Sequence, residues 1–484
     1  MTEYRPVIVL FARDLRLSDN DALRAAGESG RPILPVYVLD DESHGIRPLG
    51  GAARWWLHHS LAALGAALGA KGAPLILRRG STVPVLMALV RETGAVAIHW
   101  TRGHGPGDRA LETGLVKAAA GQDLALSPFS GRLLFEPEAI RTDQGGRYRV
   151  FSPFWRACQA ASSPLTSVPA PERLMPFHPT PTSDPLAAWG LLPRAPDWAG
   201  GLRETWRPGE DGAKAALTAF LDEGIDAYSE GRDRPDRDGI SRLSPHLAFG
   251  EISPRQVWHA VRGAADRGDV PDGEAQAFLR QIAWRDFAHH TLFEAPDIAR
   301  RPLDRRFADF PWRQSHETLA AWQQGRTGYP IVDAGMRELW RTGFMHNRVR
   351  MIAASFLIKD MMLPWQAGEA WFWDTLVDAC PANNPHNWQW VAGCGTDSAP
   401  FFRIFNPVTQ GRRFDPDGNY VRHWLPELAA LPDARIHAPW EASEAELLEA
   451  DLQLGDAYPR PVLDHAAARR RALAAFDSIK ERNT

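Results

Sequence analysis

Short apolar runs recur through the first quarter of the chain, over 7–11 (VIVLF), 33–39, 74–77 and 96–100. Between them, 52–68 and 83–90 repeat apolar residues at helical spacing. Strands that are apolar throughout are buried on both faces, so the alternation predicts a doubly wound parallel sheet with helices on either side. Ligands of such sheets sit beyond the carboxyl ends of the strands. The first run is followed there by Ala12-Arg13-Asp14-Leu15-Arg16-Leu17-Ser18-Asp19-Asn20, charged and turn-rich, which reads as a surface loop with local ion pairs. From 162 to 185 the chain is proline-rich without helical or strand period, as expected of a linker wrapped over a surface. Beyond residue 212 the pattern is helical, over 213–220, 276–290, 315–324 and 331–340, and predicts an all-helical second domain. The expected division is an α/β domain over 1–135, an interdomain linker over 136–205 and a helical domain over 206–475.

Length agrees with two domains, since 484 residues exceed one ordinary core. A hydrophobic content of 44% with 24% charged residues describes a soluble globular protein. There is no run of about 18 apolar residues, and charges interrupt the first apolar segment too early for a signal peptide. A cytoplasmic protein without a membrane partner is therefore expected. Cys158, Cys380 and Cys394 have no metal-ligand or redox spacing and read as buried thiols, so no metal site is expected. The net charge of −4 excludes a generic polyanion binder, and any nucleic-acid contact must rest on a local basic face. The 19 tryptophans could serve packing, base stacking or electron hopping.

Candidate chemistry concentrates in 344–406. Asn347, Arg348, Arg350, Asp378, Asn384 and Asn387 alternate there with Trp365, Trp371, Trp373, Trp388 and Trp390, on segments patterned to pack inside the helical domain. Buried polar groups need partners. A large planar ligand with polar edges would supply them, and so would a network among the side chains.

The words GYPIVDAGMRELWRTGFMHNRVRM (328–351), NNPHNWQWVAGCGTDSAPFFRIFNPVTQG (383–411) and WLPEL (424–428) resemble the photolyase and cryptochrome family. Within it, they resemble the bacterial enzymes that repair cyclobutane pyrimidine dimers. VLFARDLRLSDNDAL near the start and SRLSPHLAFGEISPRQVW in the middle extend the likeness over nearly the whole chain, in the family's order. The resemblance implies an α/β antenna domain and a helical domain that grips FAD in a folded, U-shaped form. Tyr228 and Ser241-Arg242-Leu243-Ser244 would then hold the diphosphate, although SRLS alone reads as an ordinary helix cap. Phe278, Arg285, Asn347 and Cys380 would also touch the cofactor. Arg350 and Asp378 match a pair beside the flavin ring, and Asn384 faces N5, where a neutral amide can donate or accept. Trp388, Trp365 and Trp312 fall at the electron-relay positions.

The activity implied is light-driven electron donation from FADH⁻ to a cyclobutane dimer flipped out of UV-damaged DNA, which splits and returns the electron. Trp284 and Trp390 match the tryptophans that flank the flipped lesion, offsetting lost stacking by roughly 1–3 kcal/mol per base. Arg232, Arg348 and Arg403 match basic positions on the DNA-facing surface. Asn347 and Met351 stand where enzymes that repair (6-4) photoproducts carry histidines, which disfavours that substrate. Gln281, the remaining member of the catalytic set, departs from the family's usual glutamate. It can donate through its amide but supplies no proton, so retained repair of altered efficiency is expected.

Cys380 replaces an acidic residue, and the familiar folate-antenna residues are absent at 100–104 and at Ala299-Arg300. The second pigment is thus open between methenyltetrahydrofolate bound differently, a deazaflavin, or none. A monomer is expected. The rival readings are a cryptochrome-like photoreceptor, which Gln281 favours, a (6-4) repair enzyme, and a helical nucleotide-binding module with an unrelated cofactor.

Overall fold

The structure is a computed structural model that describes residues 5–161, 164–398 and 402–481. The first two residues of the proline-rich stretch, and 399–401 within the 383–411 motif, lie outside the described residues. Strands β1 (Val7–Phe11), β2 (Ile33–Leu39), β3 (Ile76–Arg79), β4 (Ala97–Thr101) and β5 (Ala125–Phe129) form one sheet in the order β3-β2-β1-β4-β5. Every pairing is parallel. Val7, Val9 and Phe11 on one face pack against helices α1 (Asp21–Glu28) and α2 (Gly51–Ala70). Ile8 and Leu10 on the other meet α3 (Thr82–Thr93), with α4 (Pro106–Ala119) on the same side. Alternate residues of one strand thus serve two cores, which is why β1 is apolar throughout. The fifth strand has no apolar signature. Its sequence ALSPF is partly exposed and holds Pro128, tolerable because the strand lies at the sheet edge.

Residues 12–20 do not form the surface loop expected of them. Asp14, Arg16, Asp19 and Asn20 are buried where the sheet meets the helical domain. Asp14 Oδ2 accepts a hydrogen bond from Thr101 Oγ1 at 2.7 Å, across the ends of β1 and β4. Arg16 donates to the Gly250 carbonyl at 2.9 Å and to that of Asp19 at 2.8 Å. Arg255 donates to Asp19 at 3.0 Å. Burial of these charges is tolerable because each has a partner. Gly250 closes the contact: its φ is +69°, and a Cβ there would stand 2.1 Å from the Arg13 carbonyl oxygen.

The chain then supplies α5 (Phe151–Ala160), which packs on the helical half, and an extended stretch along the α/β domain. In that stretch the Met175 carbonyl accepts from Ile33 N at 2.8 Å, and Asp184 N donates to Leu77 O at 2.9 Å. The remainder is helical: α6 (Ser244–Phe249), α7 (Asp272–Glu294), α8 (Pro330–Thr342), α9 (Asn347–Ser355), α10 (Trp365–Thr375), α11 (Asn383–Ala392) and α12 (His465–Glu481), with further helices between. Trp322, Trp365, Phe356 and Trp388 lie in its main core. A second core joins Trp56 of α2 to Trp206, Phe249 and Phe344, so the two halves share buried apolar surface. No helix among the described residues is long and apolar enough to cross a membrane.

Candidate functional site

Three helices of the second half turn one stripe each toward a common cavity of about 560 Å³. From α7 come Phe278, Gln281, Ile282 and Arg285; from α9, Asn347, Arg350, Met351 and Ala354; from α11, Asn384, Asn387, Trp388 and Val391. Each set has the spacing i, i+3, i+4, i+7, the face of an α-helix that ordinarily buries apolar side chains. Here half of those positions are polar. Their companions are Trp284, Arg348 and Trp390 from the same helices, Tyr228, Arg232 and the segment Ser241–Ser244, and Asp378 and Cys380 from the turn before α11. A cavity of this size, lined by apolar side chains such as Leu247, Ile282 and Leu376 together with these polar groups, fits an organic cofactor.

The polar edges are organised. Arg350 donates to both oxygens of Asp378, at 3.2 and 2.9 Å, and its Nε donates to the Met345 carbonyl at 2.6 Å. Ser244 donates its hydroxyl to Asp378 at 2.7 Å, tying the start of α6 to the same carboxylate. Arg242 holds φ +51°, a left-handed conformation rare for a residue with a Cβ. Asn384 Nδ2 donates to the carbonyl oxygen of Glu369 at 3.0 Å and to its carboxylate at 2.8 Å. Cys380 Sγ stands 3.6 Å from His289 Nε2, and burial holds that imidazole well below its ordinary pKa. Burial also pushes the Tyr228 hydroxyl up to about 12 and the His346 imidazole down to about 4, so both are neutral at pH 7.

The tryptophans occupy distinct settings. Trp284 lies face to face on Phe151, 3.7 Å between centroids and 7° between planes, so one face of the indole is already covered. Trp390 donates its indole N–H to the Asp397 carbonyl at 3.1 Å. Trp388 approaches the backbone of α10 at Gly368, where an added Cβ would come within 2.1 Å of the ring. Its aromatic neighbours are Phe372 at 5.0 Å and Trp322 at 6.2 Å. Trp365 is buried in the same core, outside the cavity lining, and Trp312 packs on Phe310 at 4.3 Å near the surface. Arg403 also lies outside the lining, over the ring of Phe405.

Every other residue singled out in the sequence for cofactor, substrate or relay lines the cavity. Three contributors from behind the lining were not singled out, nor were the apolar lining residues Leu247, Ile282, Ala354, Leu376 and Val391. Phe151 backs Trp284 from the connecting segment, Glu369 stands behind Asn384, and Arg47 of the α/β domain reaches Glu369 with two hydrogen bonds of 2.7 and 3.0 Å. An acid in the apolar run WQAGEAWFW is the one sequence mark that points to Glu369.

Residues 7–173 match the family model described as DNA photolyase, and 278–478 match the FAD binding domain of DNA photolyase. The deoxyribodipyrimidine photo-lyase of Agrobacterium fabrum is 48% identical, with 98% of each chain covered. Cryptochrome-1 of Arabidopsis thaliana is 38% identical, over 96% of this chain and 69% of that one. The crystal structure of a bacterial class III photolyase from Agrobacterium tumefaciens superposes with a TM-score of 0.96 at 47% identity, covering 99% of each chain.

Proposed function

The chain belongs to the DNA photolyase family, and we propose that its cavity holds FAD and carries out light-driven repair of cyclobutane pyrimidine dimers in UV-damaged DNA. The observation that carries the reading is the convergence of three half-polar helical stripes on one cavity, with Trp284, Trp390 and Arg232 among its lining. The residues present fit the cofactor. Ser241, Arg242 and Ser244 offer hydroxyls and a guanidinium suited to phosphate oxygens, while Arg350, Asp378 and Asn384 offer donors and acceptors to a ring edge.

When bound, reduced FAD excited by blue or near-ultraviolet light supplies an electron that splits the dimer and then returns. The side chains bind and orient. In this reading Trp284 and Trp390 receive the unstacked bases, and the Phe151 stack keeps Trp284 from turning to follow them. Asn347 and Met351, one turn apart on α9, contact the lesion without offering the acid that a (6-4) photoproduct requires. Gln281 Oε1 accepts from Arg232 at 3.3 Å, and its amide nitrogen donates back to the Ala277 carbonyl at 3.1 Å. Both ends of that amide are therefore engaged, and Arg232 is the cation beside it. Arg348 and Arg403 join it in holding phosphates, and Trp388, Trp365 and Trp312 pass electrons inward from solvent.

The same reading takes 1–135 as the antenna-type domain, 136–205 as the connection and 206–475 as the catalytic domain, in a cytoplasmic monomer. Incubating the reduced protein with a thymine-dimer oligonucleotide, in light and in darkness, tests it. Dimer loss in light alone is expected; tight binding with no loss would favour a photoreceptor, the reading to which the cryptochrome likeness and Gln281 lean.

A further inference from the structure

We infer that Cys380 and His289 form a proton relay between the FAD cavity and a second, smaller cavity at the seam of the two domains, and that the proton taken up when FAD is reduced enters by this path. The inference rests on the FAD reading of the larger cavity. The second cavity, of about 30 Å³, lies beyond the carboxyl end of β4. His104, Asp108 and Arg132 line it from the α/β domain, and Arg285, His289 and Cys380 from the helical domain. It is roomy enough for water, and it is polar. His104 is only 3% exposed; its Nε2 meets Glu136 at 2.6 Å, and its Nδ1 has no partner among the described residues.

Four residues, Leu247, Ala248, Arg285 and Cys380, stand in the linings of both cavities. The first two have no side-chain proton to exchange. Arg285 is a permanent cation, donating to the Arg132 carbonyl at 2.8 Å and to Asp286 at 3.4 Å. A thiol is the one side-chain type in this shared wall whose proton leaves near neutral pH. Asn383 Nδ2 donates to the Cys380 sulfur at 3.4 Å, and His289 Nε2 stands 3.6 Å from it. His289 lines the smaller cavity and not the larger. Burial keeps its imidazole neutral, with Arg285, His104, Arg13 and Arg132 acting in the same sense, so one ring nitrogen accepts a proton while the other gives one. The ring has no other hydrogen-bond partner among the described residues, which leaves its second nitrogen for water.

Reduction of FAD to FADH⁻ consumes two electrons and one proton. The electrons come from an external thiol reductant and the proton from water at the seam. In the relay the Cys380 S–H bond breaks toward the FAD cavity, the Nε2–H of His289 replaces it, and a proton from water reaches Nδ1. The thiol is restored, and exchange with water resets the imidazole tautomer. Asn384, Asn347 and Gln281 around the same cavity carry amides, which offer hydrogen bonds and no proton. The mouth of that cavity is where the proposed DNA docks, so a path through the seam keeps protons available while substrate is bound.

The test is flash excitation of the full-length protein loaded with oxidised FAD, with dithiothreitol as reductant. Electron arrival and proton uptake are followed as two successive absorbance changes of the flavin, per bound FAD. Cys380→Ala, Cys380→Ser and His289→Phe should each slow proton uptake by about 100-fold, the low end of what a positioned proton donor contributes, with electron arrival within about twofold of wild type. Serine keeps the shape and the hydrogen bonds but holds its proton far more tightly, so its slowing separates proton supply from packing. Combining Cys380→Ala with His289→Phe should slow uptake no further than either alone, as one shared path requires. Imidazole added to His289→Ala should restore uptake in proportion to its concentration. Stable, FAD-loaded variants that take up the proton at the wild-type rate would overturn the inference while leaving the proposed function intact. A wild-type protein that takes up no FAD would instead defeat the functional reading itself.

Discussion

Two polar stretches are packed into the fold, the first more deeply than the second, and only the second faces the larger cavity. Residues 12–20, beyond the sheet, carry Asp14, Arg16, Asp19 and Asn20, all buried and all paired with protein groups. The stripes of α7, α9 and α11 carry six polar side chains, but these line open space. Buried polarity alone therefore does not mark a ligand site. What separates the two is how far the hydrogen-bonding capacity is consumed inside the protein: in the loop Arg16 Nε alone among the buried side-chain atoms of Asp14, Arg16, Asp19 and Asn20 has no partner, and a nearly saturated network serves cohesion while an open one awaits a partner.

The sharpest way to break the comparison is to remove a group from the saturated side. Asp19 is fully buried and holds Arg255 at 3.0 Å. Asp19→Ala leaves the buried Arg255 guanidinium with Asp21, at 2.8 Å, as its remaining carboxylate, and a loss of about 1–3 kcal/mol in unfolding free energy is expected by urea denaturation. The folded fraction should still bind FAD within about twofold of wild type, because Asp19 lies outside the cavity lining. A selective loss of FAD binding would mean that the loop belongs to the site after all.

On the open side the next largest effect belongs to the tryptophans. Trp390→Ala should weaken binding of dimer-containing DNA by roughly 5- to 150-fold, the worth of one stacked base, with FAD content unchanged. Trp284→Ala should do the same and also lower stability, because it uncovers Phe151, which it meets at 3.7 Å. Equal stability losses in the two variants, without a binding loss, would assign both indoles to packing.

A smaller effect is expected at Gln281. Its contact with Arg232, at 3.3 Å, would become an ion pair in Gln281→Glu, worth at most about 1 kcal/mol at this half-open position. Repair per absorbed photon should rise, while DNA affinity falls by no more than about fivefold as Arg232 is drawn from phosphate. A drop in both would show that the glutamine is an adaptation of this site and not a loss.

Much of this arrangement could be read from the chain alone, and the exceptions have physical reasons. The apolar runs over 7–11 and 33–39 became β1 and β2 because strands buried on both faces leave an unmistakable signature. The edge strand β5 leaves none, being half exposed and proline-containing. Of the cavity stripes the family likeness singled out Phe278, Gln281, Arg285, Asn347, Arg350, Met351, Asn384 and Trp388 but not Ile282, Ala354 or Val391, and the i, i+3, i+4, i+7 spacing explains why one cavity can collect them. Loop 12–20 misled because charge ordinarily implies solvent, and its partners Gly250 and Arg255 lie more than two hundred positions away. Arg47 was silent for the same reason: nothing local distinguishes an arginine that will cross to Glu369, 322 residues along the chain.

The finest division lies among the three arginines proposed to hold phosphates, and salt can resolve it. Arg348 is already committed, donating to Asp233 at 2.7 Å and lying 4.3 Å over the Phe414 ring. Arg232 and Arg403 have no carboxylate within ion-pair reach among the described residues. Each phosphate neutralised by a free cation releases counterions and contributes about 0.9 to the slope of log K against log salt on duplex DNA. A guanidinium that must first leave a carboxylate gains less, because the charge it brings was already balanced. Arg232→Ala and Arg403→Ala should each reduce the slope by nearly that whole amount, and Arg348→Ala by less than half of it. Three equal reductions would mean that Asp233 gives up Arg348 when DNA arrives, and that the saturated and open sides of this molecule exchange partners on binding.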